Sequence, residues 1–188
     1  MPARFVAGLA RTARYALRPA PAGTGKIGSV AAVTNMSTRP NPPTSGWMDG
    51  HFHVLPLRVY YEDTDFSGVV YHANYLRYME RGRSEFLRLA GVHHTAMLDG
   101  TEPMAWTIRR AVLDYKKPAR VDDALLVRSR ITHLSGARMT IEQSVWRGDD
   151  LLVSGHVEAC IITLAGKPRR IPAEIAAKLT ALGGPAKP

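Results

Sequence analysis

The sequence predicts an α+β fold: one long helix laid against a five-stranded antiparallel sheet, closed by a short C-terminal helix. Three observations carry this. Three stretches between residues 124 and 163 alternate apolar and polar side chains and are separated by short turns. Residues 73–90 instead repeat apolar side chains every three to four positions. Apolar residues make up 45% of the 188-residue chain, enough to bury a core beneath one such layer pair, and no internal repeat is present.

The regular pattern begins at His53. Leu55, Leu57, Val59 and Tyr61 alternate with Pro56, Arg58 and Tyr60, which reads as a first strand, and Pro56 suits an edge or strand start because it lacks an N–H. Residues 62–72 break the alternation around Gly68. A helix follows over Ala73–Ala90, where Tyr75, Met79, Gly82, Phe86 and Leu89 form one stripe and Arg77, Arg81, Ser84 and Arg88 lie roughly opposite. Arg81 and Glu85 are spaced for an i,i+4 pair, and Gly91 is placed as a C-terminal cap. Glycine at 82 costs a helix about 1 kcal/mol relative to alanine, so its place in the buried stripe predicts close approach to a sheet. Four strands come next: Met104–Tyr115, Ala124–His133, Arg138–Arg147 and Leu151–Thr163. The turns at Ser135-Gly136 and Gly148-Asp149-Asp150 make the last three antiparallel neighbours, and Gly155 marks a candidate bulge. Pro172–Leu182 reads as a short helix with proline in its first turn.

Charge is unevenly placed. The formal net charge is +9, but residues 1–48 contain six basic groups and no acid, leaving 19 basic and 16 acidic residues for the rest. The chain therefore divides into a basic, disordered extension over 1–48, rich in Ala, Pro, Gly, Ser and Thr, and a folded domain over 49–188 that is only mildly basic. The extension has the arginine-rich, acid-free look of a transit peptide, with a weak helix around Phe5–Leu17. Equally, Met36 or Met48 would serve as a start. Nucleic-acid binding is not expected from a charge confined to a tail. The longest uncharged run, between Lys26 and Arg39, holds Gly, Ser, Thr and Asn, so no membrane-spanning helix is expected. The single cysteine, Cys160, excludes an internal disulfide and any CxxC site, which fits a reducing, cytoplasmic setting. His93-His94 with Asp99 is the one clustered metal candidate, and it is too sparse to complete a shell. Trp106 and Trp146 suit a core, an interface or an acyl site, and Cys160 a structural place on a strand.

Chemistry concentrates in YYEDTDFSGVVYHANYLRYMERGRSEFLR, residues 60–88. Three acids, Glu62, Asp63 and Asp65, fall just before a helix. Free N–H groups and the positive dipole end there stabilise a carboxylate, or the oxyanion of an acyl-transfer intermediate. One carboxylate beside one such donor is a minimal kit for hydrolysing an activated ester, by direct attack or through a water. Acids in this position also serve as helix caps. Residue chemistry alone does not separate Asp65 from Asp63.

This run resembles the signature of hotdog-fold acyl-CoA thioesterases of the 4-hydroxybenzoyl-CoA thioesterase-like family, YbgC type. The matching pieces are Tyr61 to Asp65, Gly68 to Tyr75, Glu80-Arg81 and Ser84-Glu85, with looser likeness through Tyr115–Arg120 and Asp122-Asp123 to about Pro172. The resemblance implies hydrolysis of acyl-CoA thioesters without metal or cofactor. Asp65 would be nucleophile or general base, and the His72 amide would polarise the carbonyl, with its imidazole helping to orient water. Gly68 would bring the loop close to substrate, and Asn74 and Tyr75 would shape the acyl pocket. Arg138, Lys167, Arg169 and Arg170 are candidates for the phosphates of coenzyme A, and Lys116, Lys117 and Arg120 are others. The chain departs from the pattern at Phe66 and Ser67, where many relatives carry small residues or glycine. The resemblance also implies a homodimer or homotetramer with the site between subunits, and partners in envelope maintenance or phospholipid synthesis. Competing readings are a hotdog dehydratase or hydratase, and a binding or scaffold protein with little turnover.

Overall fold

The computed structural model describes residues 45–185. The expectations for the basic extension, including its helix around Phe5–Leu17, concern residues that lie almost wholly outside them. The described strands are β1 (Trp47–Asp49), β2 (Phe52–Arg58), β3 (Met104–Tyr115), β4 (Ala124–Ser135), β5 (Arg138–Arg147), β6 (Asp150–Thr163) and β7 (Pro168–Arg169). The helices are α1 (His72–Leu89), α2 (His94–Leu98) and α3 (Ala173–Ala181). One antiparallel sheet runs in the order β1-β2-β4-β5-β6-β3, with β7 added along β6. This is the hotdog arrangement, with the five expected strands and two very short ones besides.

The short strands escape sequence reading because two or three residues carry no periodicity. β1 pairs with β2 as a hairpin, so the sheet starts at Trp47, two residues ahead of the expected boundary at 49. The hairpin is tied from below: the buried His53 ring places Nε2 2.8 Å from the Ser45 carbonyl oxygen. β2 ends at Arg58, earlier than expected, because Tyr61–Asp63 turns into one stretch of 3₁₀ helix.

α1 lies across β2, β4 and β5. Its inward face buries Tyr75, Tyr78, Met79, Phe86 and Leu87, while Leu89, expected in the stripe, is only half-buried. Two apolar clusters result. One gathers around Tyr75, Tyr78 and Met79 with Leu125, Val127 and Val153. The other joins Phe86 and Leu87 to Ile131, Ile141, Ile161 and the Leu179 side chain of α3. Between them helix and sheet touch backbone-close. A Cβ on Gly82 would stand 2.9 Å from Val127 Cγ1, which bears out the close approach. The buried Gln143 amide then donates from Nε2 to the Met79 carbonyl and the Ser129 hydroxyl, each at 2.8 Å, and Arg83 donates to its Oε1.

Two local expectations need correction. Gly155 is no bulge: it pairs in register with Leu113 and Gln143, and the shifts fall near Arg109 and Leu152. Its lack of a side chain is required because a Cβ would lie 2.3 Å from the Val112 carbonyl oxygen. Glu85 pairs with Arg88, one turn on at i+3, and not with Arg81. The helix ends as expected: Gly91 N–H donates to Arg88 O and Val92 N–H to Leu87 O, a Schellman closure.

Candidate active site

The segment from Tyr60 to Tyr75 is braced before it presents anything. Asp63 is buried and its Oδ2 accepts the Tyr60 N–H at 2.8 Å. Its backbone carbonyl accepts two further bonds, from the Tyr71 N–H at 2.9 Å and from Asn74 Nδ2 at 2.8 Å. Val70 N–H donates to Ala119 O, and Ala119 N–H donates to the Tyr75 hydroxyl at 2.9 Å. Burial, and then the neighbouring Asp63 carboxylate, push the Tyr78 phenol up from its ordinary value.

These contacts separate the three acids. Asp63 is a structural brace facing inward, and Glu62 is exposed. Asp65 is exposed too, but it is organised. It opens a tight turn in which Gly68 N–H donates to Asp65 O and Asp65 N–H to Val69 O, at 3.0 and 3.1 Å. Gly68 takes φ +74°, the left-handed value that closes such a turn, and a side chain there would be strained. Asp65 Oδ1 accepts the Ser67 N–H at 2.8 Å and the Ser67 hydroxyl at 2.5 Å. Those two bonds, with a smaller contribution from the nearby His72 imidazole, hold the Asp65 carboxyl below its ordinary value of 3.8.

α1 begins directly after this turn, at His72, with Tyr71 as N-cap and no side-chain cap. Asn74 N–H bonds back to Tyr71 O. The amides of His72 and Ala73 have no hydrogen-bond acceptor among the described residues, so the dipole end of an 18-residue helix stands open at the close of the segment that carries Asp65. The first carbonyl of the helix is secured: Tyr115 at the end of β3 donates its hydroxyl to His72 O at 3.1 Å. A shallow depression of about 270 Å³ lies there, lined by His72, Tyr75, Tyr115, Lys116 and neighbours. Asp65 stands on the turn outside it.

The remaining expected site residues divide. Tyr75 lines the depression. Asn74 does not: it is buried, with its amide spent on the Asp63 carbonyl, so it shapes the loop and not the pocket. Arg138, Lys167 and Arg169 lie away from this end of the sheet. Lys167 follows the Thr163 end of β6, which pairs with Met104, and Arg169 pairs with Ile161. Arg138 faces Cys160, which faces Thr107, and is engaged with Glu158 alongside Arg109. β3 has 12 residues, so its Met104 end lies roughly 36 Å from the Tyr115 end at the usual rise per residue. Sequence reading missed Ser67 and Tyr115 as site-shaping residues. Serine two places after the aspartate was the signal for the first; nothing local signalled the second. Among the described residues no three His, Cys, Asp or Glu side chains converge, and His94 instead lies 3.3 Å from the Ser84 hydroxyl.

Comparison with known proteins bears on this geometry. Residues 67–154 match the model of the thioesterase superfamily. The chain is 37% identical over 125 residues to the acyl-CoA thioester hydrolase YbgC of Escherichia coli O6:H1, covering 65% of this chain and 92% of that protein. The chain belongs to the thioesterase superfamily. It is likewise 37% identical over 124 residues to the acyl-CoA thioesterase YbgC of Haemophilus influenzae, 65% of this chain and 90% of that one. Among solved structures, a probable thioesterase from Bartonella henselae superposes with a TM-score of 0.63 at 46% identity, over 64% of this chain and 99% of the other. No helix among the described residues is long and apolar enough to cross a membrane.

Proposed function

We propose that the protein hydrolyses acyl-CoA thioesters, with Asp65 as the reacting carboxylate and the open amides of His72 and Ala73 as oxyanion donors. The observation that carries this is the asymmetry among the three acids: of the two exposed ones, Asp65 alone is held in orientation, on the turn that leads into the open helix N-terminus. The similarity to YbgC proteins supplies the substrate class.

Two routes share that geometry. In one, a carboxylate oxygen of Asp65 attacks the thioester carbon. The tetrahedral oxyanion is stabilised by the helix amides, CoA thiolate leaves, and water hydrolyses the mixed anhydride to regenerate the carboxylate. In the other, the carboxylate takes a proton from a water that attacks the same carbon, and later releases that proton. Either way the good thiolate leaving group removes the need for a strong acid or a metal.

The active unit is a dimer in this proposal. β3 is the last strand of the sheet, and Ile108 and Val112 on it are 47% and 45% exposed. A long apolar edge of this kind invites pairing. Two β3 strands pairing antiparallel about their middle would bring the Met104 end of one copy beside the Tyr115 end of the other. Arg138, Lys167 and Arg169 of a second copy would then reach the first copy's site, where CoA phosphates need them. In this proposal the catalytic domain is 49–188 together with the β1 hairpin that begins at Trp47.

The test is release of free thiol from a panel of acyl-CoAs of different chain length, followed with a thiol reagent. Asp65→Asn is expected to lower the rate by at least about two orders of magnitude, as for a lost base or nucleophile. No thiol release by the parent across the panel would leave the binding or scaffold reading.

A further inference from the structure

We infer that Ser67 is a positioning residue for the reaction, fixing one oxygen of Asp65 so that the other is presented to substrate; this rests on the assignment of Asp65 above. Asp65 is exposed on a turn, and an exposed aspartate ordinarily samples several rotamers. Both hydrogen bonds the Asp65 carboxylate accepts come from Ser67, and both go to Oδ1. Oδ2 accepts none from the described residues, so its lone pairs remain free for carbon or for a water proton.

The two bonds differ in what they require of residue 67. The amide bond is an Asx turn, open to any residue but proline at that position. The hydroxyl bond needs serine or threonine. It adds a second donor to the same oxygen, restricts rotation about the Cβ–Cγ bond and stabilises the ionised form. A reacting group held in its productive orientation before substrate arrives is worth more than a freely rotating one. Position 67 is also where the chain departs from the pattern of its resemblance, and the residue found there supplies a donor that glycine could not. Phe66 fills the tip of the same turn and points wholly into solvent, so Ser67 alone of the two inner turn residues reaches back to the carboxylate.

The experiment compares Ser67→Ala and Ser67→Thr in the full-length protein. The alanine variant keeps the turn amide and should melt with the parent. Its kcat should fall roughly three- to tenfold, in line with the net worth of one ordinary hydrogen bond at an exposed site, while KM holds. The acid limb of its kcat/KM profile should move to higher pH, and so should the Asp65 carboxyl titration followed by ¹³C NMR. Threonine should restore rate and titration together. A Ser67→Ala protein with the parent's kcat and an unmoved Asp65 titration would overturn the inference. Failure of the Asp65 assignment would look different: Asp65→Asn would turn over like the parent. Positioning for catalysis would then fall with it, while the NMR titration would still report whether the hydroxyl grips the carboxylate.

Discussion

Asp63 and Asp65 are two residues apart and chemically identical, yet the fold gives them opposite tasks. The first spends its carboxylate on the Tyr60 amide inside the protein, and the second is offered to solvent under the grip of Ser67. Residue chemistry in the sequence narrowed the candidates to three acids. The final choice depended on which way the chain turns after Thr64, and that is set by Gly68 and by the bonds to Asp63 O. A second residue carries a pH prediction. His53 is buried, stacks on Phe86 at 5.7 Å, and its Nδ1 has no hydrogen-bond partner among the described residues. Burial lowers its pKa below the ordinary 6.5, opposed by the Ser45 carbonyl and the Glu85 carboxylate. The unfolded chain therefore binds this proton more readily than the folded one. Stability should be fully present above pH 6.5 and decline as pH falls from there towards the lower folded value. Chemical denaturation at pH 7.5 and pH 5.5 checks this, because His53→Gln should remove that part of the slope. An unchanged slope in the variant would place the titration elsewhere.

At the scale of elements, α1 and the meander from β4 to β6 were legible because each is long enough to show its period. Alternation at 125, 127 and 131 and at 139, 141 and 145 marks side chains that are buried in the sheet core. β1, β7 and α2 were not legible, since each is shorter than two periods of its own pattern. Salt-bridge spacing misled for a physical reason: Glu85 has arginines at both i−4 and i+3, and helix pairs at these two spacings differ by only about a few tenths of a kcal/mol. Gly82 was read correctly, as a glycine whose cost in helix propensity signals close packing. Gly82→Ala should therefore destabilise the protein in spite of alanine's better propensity. Its Cβ would meet Val127 Cγ1 at 2.9 Å and Ser129 Oγ at 3.1 Å. Overpacking of this kind costs about 1–3 kcal/mol, to be read as a lower denaturation midpoint. A midpoint equal to or above the parent's would mean that the sheet yields easily.

The whole molecule explains why a single chain looks incomplete as an enzyme. The helix amides sit at the Tyr115 end of β3 with Lys116 and Lys117, whereas Arg138, Lys167 and Arg169, also expected to hold phosphate, sit towards its Met104 end. This separation was not visible in a list of charged residues; it follows from strand register, which local sequence does not encode. In the proposed dimer a second copy, related by a two-fold axis, covers the open β3 edge and brings those distant cations to the site. Val112→Asp places a carboxylate at that edge, where the second copy's apolar side chains would have to desolvate it. The variant should be monomeric by light scattering and lose most of its thiol release. A fully active monomer, parent or variant, would contradict the shared site.

The most direct measurement sets Asp65→Asn against Asp63→Asn, recording kcat for acyl-CoA hydrolysis and the melting temperature of each. Asp65→Asn should melt like the parent while kcat falls at least about a hundredfold. Asp63→Asn should lose melting temperature through its buried brace and keep the parent's kcat per folded molecule. A folded Asp63→Asn protein that is inactive, or an Asp65→Asn protein that hydrolyses at the parent's rate, would contradict Asp65 as the reacting carboxylate.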